Sequence, residues 1–92
     1  MTQTENQNRI NADYRIVDSV HVGEAEFVLG VHTVRANMYV TWRCSQGENY
    51  YWGHYFTDEL AAKRNLLQRA QEELDREEYR QGKTSRETEL ER

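Results

Sequence analysis

The chain has 92 residues, 30% of them charged and 37% hydrophobic, with aromatics at a high 11%; this describes one small domain whose modest apolar content sits in large side chains. No apolar run exceeds three residues, Phe27-Val28-Leu29 being one, which excludes a membrane-spanning helix and a signal-peptide core. Sixteen acidic against twelve basic side chains give a net charge of -4, so a broad grip on phosphates is disfavoured and no direct nucleic-acid binding is expected.

A folded core of about 60 residues buries only about 60% of its unfolded surface and leaves little room for a walled pocket. The composition therefore favours a non-enzymatic interaction module without a cofactor. Cys44 is the single cysteine and forms no internal disulfide, and with no targeting segment the expected address is cytoplasmic.

Residues 1–12 are polar and rich in Asn, Gln and Thr, and read as a flexible N-terminal tail. Residues 13–81 read as a single α+β domain, and residues 82–92 as a charged C-terminal tail. From Tyr14 to Phe56 the chain is dense in β-branched and aromatic residues, the composition of a sheet. Four strands are predicted, over 14–20, 25–31, 38–44 and 49–56. A turn at Val22-Gly23-Glu24 separates the first two, and a longer connection over 32–37 leads to the third. The last two flank Ser45-Gln46-Gly47, which fits a three-residue hairpin loop with glycine in the left-handed position. That loop sets Cys44 opposite Glu48, Trp42 opposite Tyr50 and Val40 opposite Trp52. One face then carries Met38, Val40, Trp42, Cys44, Tyr50, Trp52, His54 and Phe56, and the other carries Tyr39, Thr41, Arg43, Tyr51, Gly53 and Tyr55. The first, more apolar set is expected to form the core.

A helix is expected from Thr57, with Thr57 as N-cap and Asp58 and Glu59 at the positive end of the helix dipole. Leu60, Leu67 and Leu74, with Leu66 and Ala70 beside them, form its apolar stripe. Gly82 marks the stop, and Thr84 with Glu87 has the spacing of a capping box for a short second helix. The expected fold is a four-stranded antiparallel sheet packed on one face, that of Trp42 and Trp52, by a C-terminal helix.

Such a sheet leaves its other face open, with Tyr39, Arg43, Tyr51 and Tyr55 grouped around Gly53. Tyrosine and arginine dominate interface hot spots, which makes this group a candidate partner-binding surface. The same tyrosines also fit simple cross-strand packing, with Tyr39 covering bare backbone at Gly53. The acidic helix end, Glu72, Glu73 and Glu77 with Asp75 and Glu78, has the look of a string of phosphates offered to a basic cleft. Against this, Arg69–Glu73 and Glu72–Arg76 have the spacing of ordinary intrahelical ion pairs on a solvated face. His21, His32, Cys44 and His54 lie too far apart in sequence for the close ligand pairs of a zinc site, so no metal and no nucleophilic chemistry are assigned.

The stretch Tyr39-Val40-Thr41-Trp42-Arg43-Cys44, then Gly47 and Asn49-Tyr50-Tyr51-Trp52-Gly53-His54-Tyr55-Phe56, resembles small accessory domains carried by conjugative elements and phages. Gly23 with Glu26-Phe27-Val28-Leu29-Gly30 fits the same group, and the resemblance spans residues 14–74. Small acidic proteins of these elements include inhibitors of host defence nucleases, Cas9-type effectors among them, so the resemblance implies an anti-CRISPR role and a Cas nuclease as partner. It supplies no catalytic residues. The expectation is a non-enzymatic protein-binding module that inhibits by steric occlusion or partial charge mimicry. The alternative is a homodimeric structural module in which the tyrosine face or a sheet edge pairs with a second copy.

Overall fold

Two-residue periodicity through the β-branched and aromatic segments, broken at left-handed turn positions, produces an antiparallel meander. The computed structural model describes residues 9–82. Its elements are β1 (Ile10–Asn11), β2 (Tyr14–Val22), β3 (Ala25–His32), β4 (Tyr39–Ser45), β5 (Asn49–Phe56) and the helix α1 (Glu59–Arg80). The five strands pair in the order β1-β2-β3-β4-β5. The fold class is α+β as expected, with five strands where four were predicted. The added strand comes from the segment read as a tail. Ala12 and Asp13 both take positive φ and turn Ile10 and Asn11 back onto Arg15 and Tyr14. The predicted capping box at Thr84 and Glu87, and nearly all of the predicted C-terminal tail, lie outside the described residues.

The sheet is strongly curled. The rings of Tyr14 on β2 and Tyr55 on β5 are 6.1 Å apart, although two strands separate them and three flat inter-strand spacings would amount to about 14 Å. The concave face thereby packs on itself: Tyr14, Ile16, Val28, Val40, Trp42 and Cys44 form one buried cluster with no helix over it. Trp42 meets Tyr14 edge-on at 5.7 Å and Tyr50 at 5.4 Å. Glycine is required where these rings crowd the backbone, since a Cβ on Gly53 would lie 2.8 Å from Trp42 Nε1. Trp42, and not Tyr39, covers that bare backbone.

The helix lies on the convex face, where Ala25, Phe27 and Leu29 of β3 pack against Ala62, Leu66 and Ala70. This corrects the expected packing. Alternation does group Val40, Trp42 and Cys44 on one face and Tyr39, Thr41 and Arg43 on the other. The apolar set, however, is buried by curling, and the helix covers the set expected to be open. The leucine stripe is corrected too: Leu60, Leu67 and Leu74 are 75%, 54% and 41% exposed. The buried side of α1 is Ala62, Leu66, Arg69, Ala70 and Glu73, a 3.6-residue stripe that keeps Leu66 and Ala70 of the expected set.

The hairpin register also differs. The β4–β5 loop is three residues with Gly47 at positive φ, as expected, but it is displaced by one residue, so that Ser45 faces Asn49 and Arg43 faces Tyr51. One residue further on, Trp42 faces both Trp52 and Gly53, a β-bulge that shifts the register to Thr41↔His54 and Val40↔Tyr55. An extra residue in one strand reverses the alternation beyond it. Tyr51 therefore shares the helix side with Arg43, whereas Tyr55 lies on the concave side near Tyr14. Asp58, and not Thr57, caps α1, its carboxylate accepting from the Ala61 N–H at 3.0 Å. Gly82 at positive φ follows the helix end, as expected.

Candidate functional site beneath the second half of the helix

The helix α1 meets the sheet through an apolar row, Ala62, Leu66 and Ala70, and beside it a polar row, Asn65, Arg69 and Glu73. Thr41 Oγ donates to Asn65 Oδ1 at 2.6 Å, and the same amide oxygen lies 3.3 Å from His54 Nδ1. One turn on, the Arg69 Nη1 donates to the Thr41 carbonyl at 3.2 Å and to its hydroxyl at 3.1 Å. Arg69 is only 9% exposed, with its guanidinium carbon 5.8 Å from the centre of the Phe27 ring. Burial pulls its pKa down, and the neighbouring charge of Arg43 adds to the effect.

Beyond Arg69, the buried Glu73 carboxylate gathers three arginines. Arg76 donates through two nitrogens at 2.9 and 3.2 Å, Arg80 at 3.2 Å and Arg43 at 3.3 Å. Burial alone would raise the Glu73 carboxyl, but the hydrogen bonds from Arg76 and Arg80, together with Arg43, bring it below the usual carboxylate range. Arg80 also binds Glu77, whose carboxyl it lowers.

Trp52 stands at the edge of this seam. The bulge holds it at φ 58°, a left-handed conformation that costs a bulky residue about 1–3 kcal/mol, and it is 63% exposed. Its ring meets Tyr51 edge-on at 5.0 Å, and the Arg43 guanidinium carbon lies 5.8 Å from the Trp52 ring centre and 5.6 Å from that of Phe27. Trp52 thus stands in solvent beside an arginine, not on the core face expected for it.

The sequence-predicted residues are thus dispersed. Tyr39 is half-buried against the helix-side core. Arg43 is tied to Glu73, and Tyr51 is exposed beside Trp52, while Tyr55 is exposed on the opposite side of the sheet. Glu72 is exposed and accepts from Gln68 at 3.4 Å. Glu73 is buried among Arg43, Arg76 and Arg80 and does not lie on the exposed acidic face expected for it. Glu77 faces Arg80 and Gln81. Trp52, Arg69 and Arg76 were missed as site residues. The pair Trp52-Gly53, bulky then bare within a strand, was the legible sign of a bulge.

Other chemistry-bearing groups are tied into structure. Cys44 is buried, and burial pushes its thiol up to about 11, which leaves it a poor nucleophile. The buried Glu26 accepts from Arg9 at 3.0 Å. His32 Nδ1 accepts from the backbone N–H groups of Val34 and Arg35 at 3.1 and 2.9 Å, fixing the β3–β4 connection. Among the described residues no three His, Cys, Asp or Glu side chains gather as a metal site, and no helix is long and apolar enough to cross a membrane. No family model, curated protein or solved structure gives a significant match to the chain.

Proposed function

We propose that the protein is a non-enzymatic binding module whose contact surface centres on Trp52, with Tyr51, Arg43 and Arg76 around it. The observation that carries this reading is an indole left mostly in solvent and held in a strained backbone conformation, in a chain that buries its other tryptophan almost completely. Tryptophan and arginine supply most of the energy at protein interfaces. The resemblance of the β4–β5 hairpin to accessory domains of mobile elements makes a host defence nuclease such as a Cas effector the partner class to examine first. Steric occlusion is the favoured mode of inhibition, because two of the three carboxylates expected to mimic phosphates are already engaged, Glu73 by three arginines and Glu77 by Arg80.

The test is affinity capture from cells that encode the protein, comparing the natural chain with Trp52→Ala and quantifying partners by mass spectrometry. Loss of a specific partner, with the thermal midpoint nearly unchanged, supports the reading; equal recovery removes Trp52 from it.

A second reading has its own observation. Leu60, Leu67 and Leu74 are exposed at seven-residue spacing, and Leu67 and Leu74 border a groove with Val20 and Val22. Such a row suits pairing with a second copy. Sedimentation at several concentrations, with Leu67→Ser/Leu74→Ser as control, separates the two: a dimer that the double variant abolishes favours the homodimeric module.

A further inference from the structure

Arg69 is the most deeply buried cation among the described residues. Nine-tenths of it is out of solvent, yet both hydrogen bonds it makes run from Nη1 to Thr41. Glu73, one turn further on, is occupied by Arg43, Arg76 and Arg80, and the charge of Glu72 acts on Arg69 from beyond ion-pair distance, so that among the described residues Arg69 belongs to no close ion pair. A guanidinium has five N–H donors; those on Nε and Nη2 have no protein acceptor, and since no buried side-chain nitrogen among the described residues lacks a partner, they face the solvent side. Drawing a positive charge largely out of water is costly, and the Phe27 ring and the charge of Glu72 offset part of that cost.

The same side chain lines a groove of about 260 Å³ together with Phe27, Arg43, Trp52, His54, Glu72 and Arg76. Three guanidinium groups border it against one carboxylate at the rim, Glu72, and that carboxylate is held by Gln68. An aromatic wall beside convergent, partly desolvated arginines is chemistry for a small oxyanion on an apolar stem.

We infer that this groove receives a carboxylate side chain of a partner protein, with Arg69 as the donor at its floor, Arg43 and Arg76 at its sides and Trp52 against the neighbouring apolar residue. The inference rests on the protein-binding reading above and gives it an anchor. A polynucleotide is the less suitable occupant, because phosphates flanking the one bound would meet Glu72 at the groove on a chain of net charge -4, with repulsion.

The experiment is a low-salt NMR titration of the ¹⁵N-labelled full chain, following the Arg69 Nε–H and the Trp52 indole N–H. The probes are acetyl-Ala-Glu-Leu-amide, its glutamine counterpart and an oligothymidylate. The glutamate peptide is expected to shift both signals saturably, and to bind about tenfold or more tightly than the glutamine peptide, since a charge-assisted hydrogen bond in a sheltered site is worth that ratio. Arg76→Gln, which leaves Glu73 paired with Arg43 and Arg80, is expected to weaken the glutamate peptide several-fold and so avoids dependence on an Arg69 variant that fails to fold. Equal binding of the two peptides, a response at Trp52 without one at Arg69, or tighter binding of oligothymidylate overturns the inference. Glutamate selectivity without any captured partner overturns the protein-binding reading alone. Trp52-dependent capture without glutamate selectivity overturns the pocket alone.

Discussion

On the concave side of the sheet, Tyr14, Ile16, Val28, Val40, Trp42 and Cys44 close on one another through ring edges and aliphatic groups. On the convex side, α1 meets the sheet first through Ala62, Leu66 and Ala70 and then through Asn65, Arg69 and Glu73. The difference lies in what each surface leaves unfinished. The concave side hides its apolar groups and has its backbone approach fitted to Trp42. The convex side ends in a row of guanidinium groups, one of them in no close ion pair, beside an indole in solvent. On the proposed reading, the first side serves stability and the second recognition.

The largest test of this contrast is to remove the central ring of the concave cluster. Trp42→Ala is expected to cost about 3–5 kcal/mol by urea denaturation, and Leu66→Ala, the main apolar contact of the helix, about 2–4 kcal/mol. A larger loss at Leu66 than at Trp42 reverses the assignment and makes helix docking the main support of the fold.

Glu73→Gln comes next, at about 2 kcal/mol near neutral pH. That is below the range for a fully buried pair because Arg76 and Arg80 are half exposed. Its pH dependence carries a definite sign. The folded-state carboxyl sits below its ordinary value of 4.5, so its contribution is complete above that value and is lost as pH falls through the folded pKa. The stability gap between the natural chain and Glu73→Gln should therefore narrow on acidification below about pH 4.5. A gap that stays constant under acid denaturation removes the arginine cluster from the stability account.

The smallest effect is expected at Trp52. Trp52→Asn gives up contacts with Tyr51 and Arg43 but places a residue that tolerates left-handed backbone at φ 58°, so stability should stay within about 1 kcal/mol of the natural chain. A loss of several kcal/mol would make this indole a packing residue and erase the contrast.

Much of the fold was legible because strand alternation and turn chemistry are local. Gly23, Gly47 and Gly82 all mark chain reversals or stops at positive φ, and the pairing of β4 with β5 follows from them. Two kinds of information were not local. Which face the helix takes depends on whether the sheet curls, and curling is set by contacts such as Tyr14 with Tyr55 between residues 41 positions apart in sequence. Facial grouping along β5 depends on a single extra residue, which divided Tyr39, Arg43, Tyr51 and Tyr55 between two sides. The leucines misled in part: a seven-residue repeat draws attention to Leu60, Leu67 and Leu74, whereas the buried stripe keeps Leu66 and Ala70 and adds Ala62 with Arg69 and Glu73, two residues that hydropathy assigns to solvent. The arginines of the site were visible as letters, but their convergence needed the tertiary structure.

The meander order has a kinetic consequence. Each strand pairs with its neighbours in sequence, so the sheet assembles by closing short hairpins one after another, with little chain entropy lost at any step. The chain contains no proline, which removes the peptide-bond isomerisation that slows many small domains. Refolding followed by tryptophan fluorescence should therefore be rapid and lack a phase of tens of seconds, with the ribbon zipping up while the segment that becomes the helix is still finding its place.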